Sequence, residues 1–329
     1  MRLFKSLVST AALAGLSVAP AAAQAGTLVL YTSQPNDQMV EVLALFNETH
    51  PDITVEVYRD GTTKVLNKLR AEIAAGDPKP DVLMIADSVT MNAFKTEGLL
   101  MAYPEAPVDG FDPAQYDRDM TWFGTKLITT GIIWNTAAAV PAPSSWTDLL
   151  AEAAKGQVIM PSPLYSGAAV IHVGTVTAQD DLGWDYYEKL ADNGAVAGTG
   201  NGSVLKAVAG GEKAYGIVID YMAFNAKRDG SPVDFVFPVE GVSAINQPVA
   251  ILSTADNPEA AKVFVDFQLS RAAQEQAVRQ SYIPLMEGVA PPADYPDLSD
   301  MTVMTADPDD LHGRIETLKR TFAELFGGA

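Results

Sequence analysis

Apolar and polar positions along this chain switch repeatedly between a strand period and a helix period. Thr27 to Tyr31 (TLVLY) is a short apolar run that reads as a buried strand. It stops at Thr32-Ser33-Gln34-Pro35-Asn36, and Met39, Val42, Leu43 and Phe46 then recur at helical spacing. His50-Pro51-Asp52 ends that helix, and Ile53 to Tyr58 (ITVEVY) alternates as a strand does. Asp60-Gly61-Thr62-Thr63 turns into a second helix carrying Val65, Leu66, Leu69 and Ile73 on its apolar face. Gly76-Asp77-Pro78 closes it, and Asp81 to Ile85 (DVLMI) is a third strand. Strands alternating with helices over short connections predict an α/β fold with a parallel sheet covered on both faces. Ligands of such sheets bind at the C-terminal edge of the strands.

The pattern continues with strands at Leu127–Trp134, Val158–Met160, Tyr215–Ile219 and Pro248–Leu252. Helical spacing covers Trp146–Ala153, Ala168–Thr177, Asp181–Asn193 and Val204–Gly210. A long amphipathic helix is predicted over Pro258–Gln280, with Ala261, Phe264, Val265, Phe267 and Leu269 on its buried side. Pro291–Pro296 reads as extended, and Arg314–Phe326 as a last helix.

The first 25 residues break this pattern. Arg2 and Lys5 precede an apolar run from Leu7 to Val18, and Ala21, Ala22 and Ala23 supply a small-residue cleavage site. That order is a secretory signal peptide, and the run is too short for a bilayer span of roughly 20 apolar residues. The expected mature chain therefore starts near Gln24 or Gly26 and works in the periplasm. There is no cysteine, which excludes disulfides, thiol catalysis and thiolate metal sites. The formal net charge is −19, and it becomes −21 once Arg2 and Lys5 are removed with the leader. A surface this acidic repels nucleic acid and anionic lipid, so any anion site must rest on local donors. No nucleophile elbow, H-E-x-x-H helix or Walker sequence is present, and no cofactor is implied.

Four segments carry a family resemblance: Leu28–Leu69, Asp81–Leu100, Gly156–Val176 (GQVIMPSPLYSGAAVIHVGTV) and Gly200–Phe224 (GNGSVLKAVAGGEKAYGIVIDYMAF). NPEAAKVFVDFQLS at Asn257–Ser270 adds a fifth. In this order they resemble the periplasmic substrate-binding proteins of ABC importers, in the branch that binds ferric iron, phosphonates, sugar phosphates or thiamine. The resemblance implies a type II two-lobed α/β fold, with parallel-rich sheets flanked by helices and a ligand cleft between the lobes. The expected lobes are 26–127 plus 248–282 and 128–247 plus 283–329, with crossings near Leu127–Ile133 and Pro248–Leu252. It also implies a monomer that delivers a small anionic or zwitterionic solute to an inner-membrane permease.

Ferric members of that family carry two adjacent tyrosines after the strand matching Tyr215–Ile219. Here Asp220-Tyr221-Met222 stands there, and a thioether is a poor ligand for Fe(III). His50, His172 and His312 have no metal-ligand spacing, so no metal is expected. The positive signal is for an oxyanion. Helix starts at Thr32-Ser33, Gly61-Thr62-Thr63, Ser166-Gly167-Ala168 and Asn201-Gly202-Ser203 carry hydroxyls or glycine, and free helix-start N–H groups bind anions. Ser162 crowds the same turn as Ser166, Tyr165 is placed to cover the anion, and Trp122 and Tyr221 are placed to wall it. Asp87, Asp220 and Glu240 are the carboxylates available for an ammonium or for sugar hydroxyls. Donors paired with carboxylates suit a zwitterion such as 2-aminoethylphosphonate, with a sugar phosphate as the near alternative, ferric iron next, and glycoside hydrolysis by the paired aspartates as a distant one.

Overall fold

The structure is a computed structural model that describes residues 26–296 and 301–327. The signal-peptide reading falls on residues 1–25, outside the described residues. The chain opens as its alternation predicts, with β1 (Gly26–Thr32), α1 (Asn36–Thr49), β2 (Ile53–Arg59), α2 (Thr62–Ala74), β3 (Val82–Met84) and α3 (Ser88–Thr96). β1 lies between β2 and β3 and is parallel to both. Helical crossovers are what parallel neighbours require.

β4 (Phe123–Asn135) follows, then β5 (Val158–Pro161), α4 (Gly167–Val176), α5 (Gly183–Asp192), β6 (Val196–Gly198), α6 (Asn201–Ala209), β7 (Tyr215–Ile219), α7 (Asp220–Arg228) and β8 (Val233–Val236). The chain then makes β9 (Val242–Ile251), α8 (Pro258–Gln268), α9 (Arg271–Arg279), β10 (Val303–Met304) and α10 (Pro308–Phe326). The strand order is β2-β1-β3-β9-β4-β7-β5-β6, with β8 added beside β4 and β10 beside β9. β5 is parallel to β6 and β7, so a second parallel set mirrors the first. β4 and β9 join the two sets. They pair antiparallel with each other between Phe123–Thr130 and Ser243–Val249, while β9 also pairs β3 and β4 also pairs β7. β4 is nearly all buried and rich in Thr and Ile, as a strand packed on both faces must be.

Separate apolar clusters fill the two ends. Leu28, Leu30, Phe46, Val82, Phe123, Ile251 and Phe264 pack together around the first set of strands. Ile132, Trp146, Met160, Val173, Tyr187, Ile217 and Phe322 pack around the second.

Several elements depart from the sequence pattern. The helix expected over Pro258–Gln280 is two helices, because Ser270 accepts from Ala273 N at 3.2 Å and donates to Phe267 O at 2.7 Å, capping a new start. Trp146–Ala153 is a pair of 3₁₀ turns broken at Ala151, whose ψ is 156°. The strand expected at Pro248–Leu252 is the end of the longer β9. β6, β8, β10, α3 and α7 carried no separate signal, and α10 begins before Arg314.

Candidate functional site

Both parallel sets of strands end on the same cavity of about 550 Å³. From the first set, Pro35 follows β1, and Arg59, Asp60, Gly61, Thr62 and Lys64 span the end of β2 and the start of α2. From the second set come Tyr165 and Ser166 after β5, Thr199 to Ser203 after β6, and Ile219, Tyr221 and Met222 at the end of β7 and start of α7. The starts of α2, α4, α6 and α7 therefore meet around one space. First-turn N–H groups have no intrahelical acceptor, and the helix dipole makes such ends attractive to anions.

Three of these helix starts, those of α2, α6 and α7, have N-cap residues that make no side-chain cap bond. Gly61 precedes α2 and Gly200 precedes α6, and neither has a side chain to cap the first-turn amides, while Ser203 Oγ accepts from Gly200 N at 3.2 Å. Thr62 is the first residue of α2 and is buried against the cavity. Ser166 caps α4 by accepting from Ala169 N at 3.3 Å, and it also accepts from Asn201 Nδ2 at 3.2 Å. Both lone pairs of its hydroxyl are then used. Ser203 turns back on Gly200, donating to its carbonyl at 2.7 Å.

Charge reinforces this donor set. Arg59 Nε donates to Gln34 O at 3.1 Å and Nη2 to Ser33 O at 3.4 Å, which anchors the guanidinium at the rim of the cavity. Lys64 lies 3.6 Å from Asp60, whose other neighbour is Gly61 N at 2.7 Å. The cavity is thus lined by two cations and one carboxylate on a chain of net charge −19. On the opposite wall, the Tyr221 ring packs against Tyr282 with centroids 4.2 Å apart and the rings tilted by 35°. Burial pushes the Tyr221 phenol up to about 12, so it stays protonated at neutral pH. Tyr282 is held there by Ser281, which adopts φ 66°, donates to Asn225 Oδ1 at 2.8 Å and accepts from Arg228.

Of the residues singled out from sequence, Gly61, Thr62, Tyr165, Ser166, Asn201, Gly202, Ser203 and Tyr221 line this cavity. Thr32 accepts from Gln34 N, and Ser33 accepts from Ala86 N, so both organise the loop behind it. Ser162 accepts from Leu164 N inside its turn. Thr63, Gly167 and Ala168 follow lining residues but do not themselves line the cavity. Asp87 caps α3 through Thr90 N at 2.9 Å and Thr90 Oγ1 at 2.5 Å. Asp220 is fully buried and accepts from Thr129 N, Thr129 Oγ1 and Tyr221 N. Glu240 accepts from Ser145 Oγ and Trp146 N. None of these three carboxylates lines the cavity. Trp122 donates to Asn92 and borders a second, larger cavity of about 980 Å³ beside α3 and α10. Arg59, Lys64 and Thr199-Gly200 were not read from sequence. An arginine ending an alternating strand was the signal available for the first.

Helix starts from two parallel sets of strands facing one cavity, with two long strands joining the sets in a single mixed sheet, define a two-lobed solute-binding protein of the type II class. The chain belongs to the bacterial extracellular solute-binding protein family, whose model matches residues 41–303. It is 27% identical over 285 residues to an uncharacterized protein of Haemophilus influenzae, covering 83% of this chain and 82% of that one. It is 25% identical over 273 residues to a probable ABC transporter periplasmic-binding protein of Sinorhizobium fredii, covering 79% and 73%. Among solved structures it resembles the periplasmic binding protein AfuA of Actinobacillus pleuropneumoniae, with fructose-6-phosphate bound, at 23% identity and TM-score 0.81, covering 92% of this chain and 99% of that one. Iron-bound HitA of Pseudomonas aeruginosa matches at 21% identity and TM-score 0.78, covering 90% and 99%. The protein is thus an extracytoplasmic solute-binding component of an ABC importer, a class whose members take a small solute and hand it to a permease.

Proposed function

We propose that this protein captures an organic phosphate or phosphonate whose remaining part is polar and uncharged, a sugar phosphate being the type, and delivers it without covalent chemistry to an ABC permease. The observation that carries the reading is the convergence of Arg59, Lys64 and the glycine-preceded starts of α2 and α6 on one cavity of an otherwise acidic chain. Helix-start amides and a guanidinium are the groups that recognise phosphoryl oxygens. Asn201, Thr199, Ser203, Tyr165 and Tyr221 supply hydrogen-bonding and aromatic walls suited to a hydroxylated body. 2-Aminoethylphosphonate would use the same anion donors. Its ammonium would have only Asp60 among the lining carboxylates, and Asp60 already serves Gly61 N and Lys64.

In this reading the lobes are 26–127 plus 248–282 and 128–247 plus 283–329, closing as a monomer about β4 and β9, and the N-terminal leader directs export. The separation of the apolar clusters supports that division, with Val89, Ala277 and Tyr282 crossing it to join the second cluster. A thermal-shift panel tests the function. Hexose phosphates are expected to raise the melting temperature, by roughly 4 kcal/mol of stabilisation at a thousandfold excess over the dissociation constant. The parent sugars are expected to leave it unchanged. A shift from ferric citrate alone, with a coloured complex, would replace this reading with iron binding at Tyr221.

A further inference from the structure

The strand pair that joins the two parallel sets carries a buried cation behind the anion site. Between Gly124 and Leu127 the β4–β9 register slips, so that Thr125 and Lys126 together face Gln247. A bulge of this kind re-aims a side chain. Lys126 is only 2% exposed. Its Nζ donates to Gln34 Oε1 at 2.8 Å and lies 4.6 Å from the centre of the Tyr282 ring. These described partners are one amide oxygen and one aromatic face, with no carboxylate between them.

Both partners back a wall of the cavity. Gln34 carries the carbonyl that anchors Arg59, and Tyr282 packs against Tyr221. We propose that Lys126 is a positioning residue for anion capture, holding the Arg59 arm through Gln34 and the Tyr221 wall through Tyr282, and that a bound anion favours its charged form. This rests on the anionic-ligand reading.

Burial without a counter-ion brings the Lys126 ammonium down to about 7, so its charge is poised near neutral pH. A bound dianion stabilises the ammonium, and binding then takes up a proton. The other groups facing Lys126 come from several elements. Glu41 of α1 is reached through Gln280, which accepts from Gln34 at 3.3 Å and donates to Glu41 at 2.8 Å. Arg59 of β2 is reached through Gln34. Tyr282, after α9, has its phenol pushed well up and donates to Gln38 at 2.5 Å. Tyr221 and Asp220 of α7 lie beyond it, with Asp220 pushed up to about 7. Protonation of Asp220 would also favour an anion, so the difference made by Lys126 itself must be measured.

Calorimetric titration of the protein with fructose 6-phosphate across pH 7 to 9 does this, since a phosphate monoester with a second pKa of about 6 is already dianionic there. Wild-type affinity is expected to fall with rising pH. Lys126→Met is expected to bind about tenfold more weakly at pH 7 and to show a shallower fall, as one proton is removed from the linkage. Gln34→Glu gives Lys126 a counter-ion and is expected to move the fall to higher pH, which keeps the test open should Lys126→Met not fold. Wild-type affinity and slope in Lys126→Met, or an unmoved fall in Gln34→Glu, overturns the positioning role and leaves the anion site standing. Absence of wild-type binding to both fructose 6-phosphate and inorganic phosphate overturns the anion reading and this role with it.

Discussion

Gly167, the first residue of α4, lies against the carbonyl of Ala86 so closely that a Cβ there would stand 2.7 Å from that oxygen and 2.9 Å from Thr62 Cγ2. The contact brings the start of α4, from the second set of strands, onto the β3–α3 turn and the start of α2, from the first. It is a contact between the two halves of the site, and glycine is required there by the approach of backbone to backbone.

Gly167→Ala should therefore obstruct closure. Overpacking costs about 1–3 kcal/mol, or roughly 5- to 150-fold in affinity if it falls on the closed form alone. Calorimetric titration with a hexose phosphate, beside the melting temperature of the ligand-free protein, reads the two states separately. Affinity is expected to fall with the ligand-free melting temperature kept. Undiminished affinity would show that the closed form does not need this contact.

In the proposed reading Arg59 supplies a charged donor to the ligand. Arg59→Ala should weaken hexose-phosphate binding by about 1.5–3 kcal/mol, roughly 10- to 150-fold, the range for a hydrogen bond to a charged group. Arg59→Lys should recover only part of it, because an ammonium cannot bond Gln34 O and a phosphoryl oxygen with the geometry of the guanidinium fork. Equal affinity in wild type and Arg59→Ala would remove the residue from the site.

Asp220 gives a pH dependence of stability with a definite sign. Burial raises its carboxyl from 3.8 to about 7, against the opposing bonds from Thr129 and Tyr221. Between those values the folded protein holds a proton that the unfolded chain releases. The stability from this group is full below about pH 3.8 and is lost as pH rises through about 7. Denaturant unfolding across pH 5 to 8 should show this loss, and Asp220→Asn should flatten it. Because Asp220 bonds backbone and Thr129 and does not line the cavity, the same substitution should change the affinities of amino-bearing and amino-free phosphonates equally. A selective loss for the amino-bearing ligand would restore the ammonium role expected from sequence.

Asp87 is expected to behave as a helix cap. Asp87→Ala should cost about 1 kcal/mol of stability, the usual loss when an N-cap carboxylate is removed. Ligand affinity measured on the same variant should be unchanged. A loss of binding larger than the loss of stability would mean that Asp87 reaches the ligand.

Residues such as Thr62, Ser166, Ser203 and Tyr221 were legible because strand ends and helix starts are local patterns, and an α/β sheet gathers them at one edge. Asp87 and Asp220 were placed correctly at strand ends, but their bonding was hidden. Whether a carboxylate there faces a ligand or its own helix depends on Thr90 and on Thr129, the latter 91 positions away in sequence. Arg59 was masked because β2 is an edge strand with exposed positions, where an arginine reads as solvent-facing. Lys126 was beyond reach for a different reason. Its burial follows from a register slip between two strands distant in sequence, which no local pattern encodes.

The most direct test of the central claim is a crystal structure of the protein with the hexose phosphate that gives the largest thermal shift. The phosphoryl oxygens are expected within hydrogen-bond distance of Arg59 and of first-turn amides of α2 or α6, with the sugar between Tyr165, Tyr221 and Asn201. A ligand seated in the larger cavity beside α3 and α10, or a metal ion held by Tyr221, would contradict it.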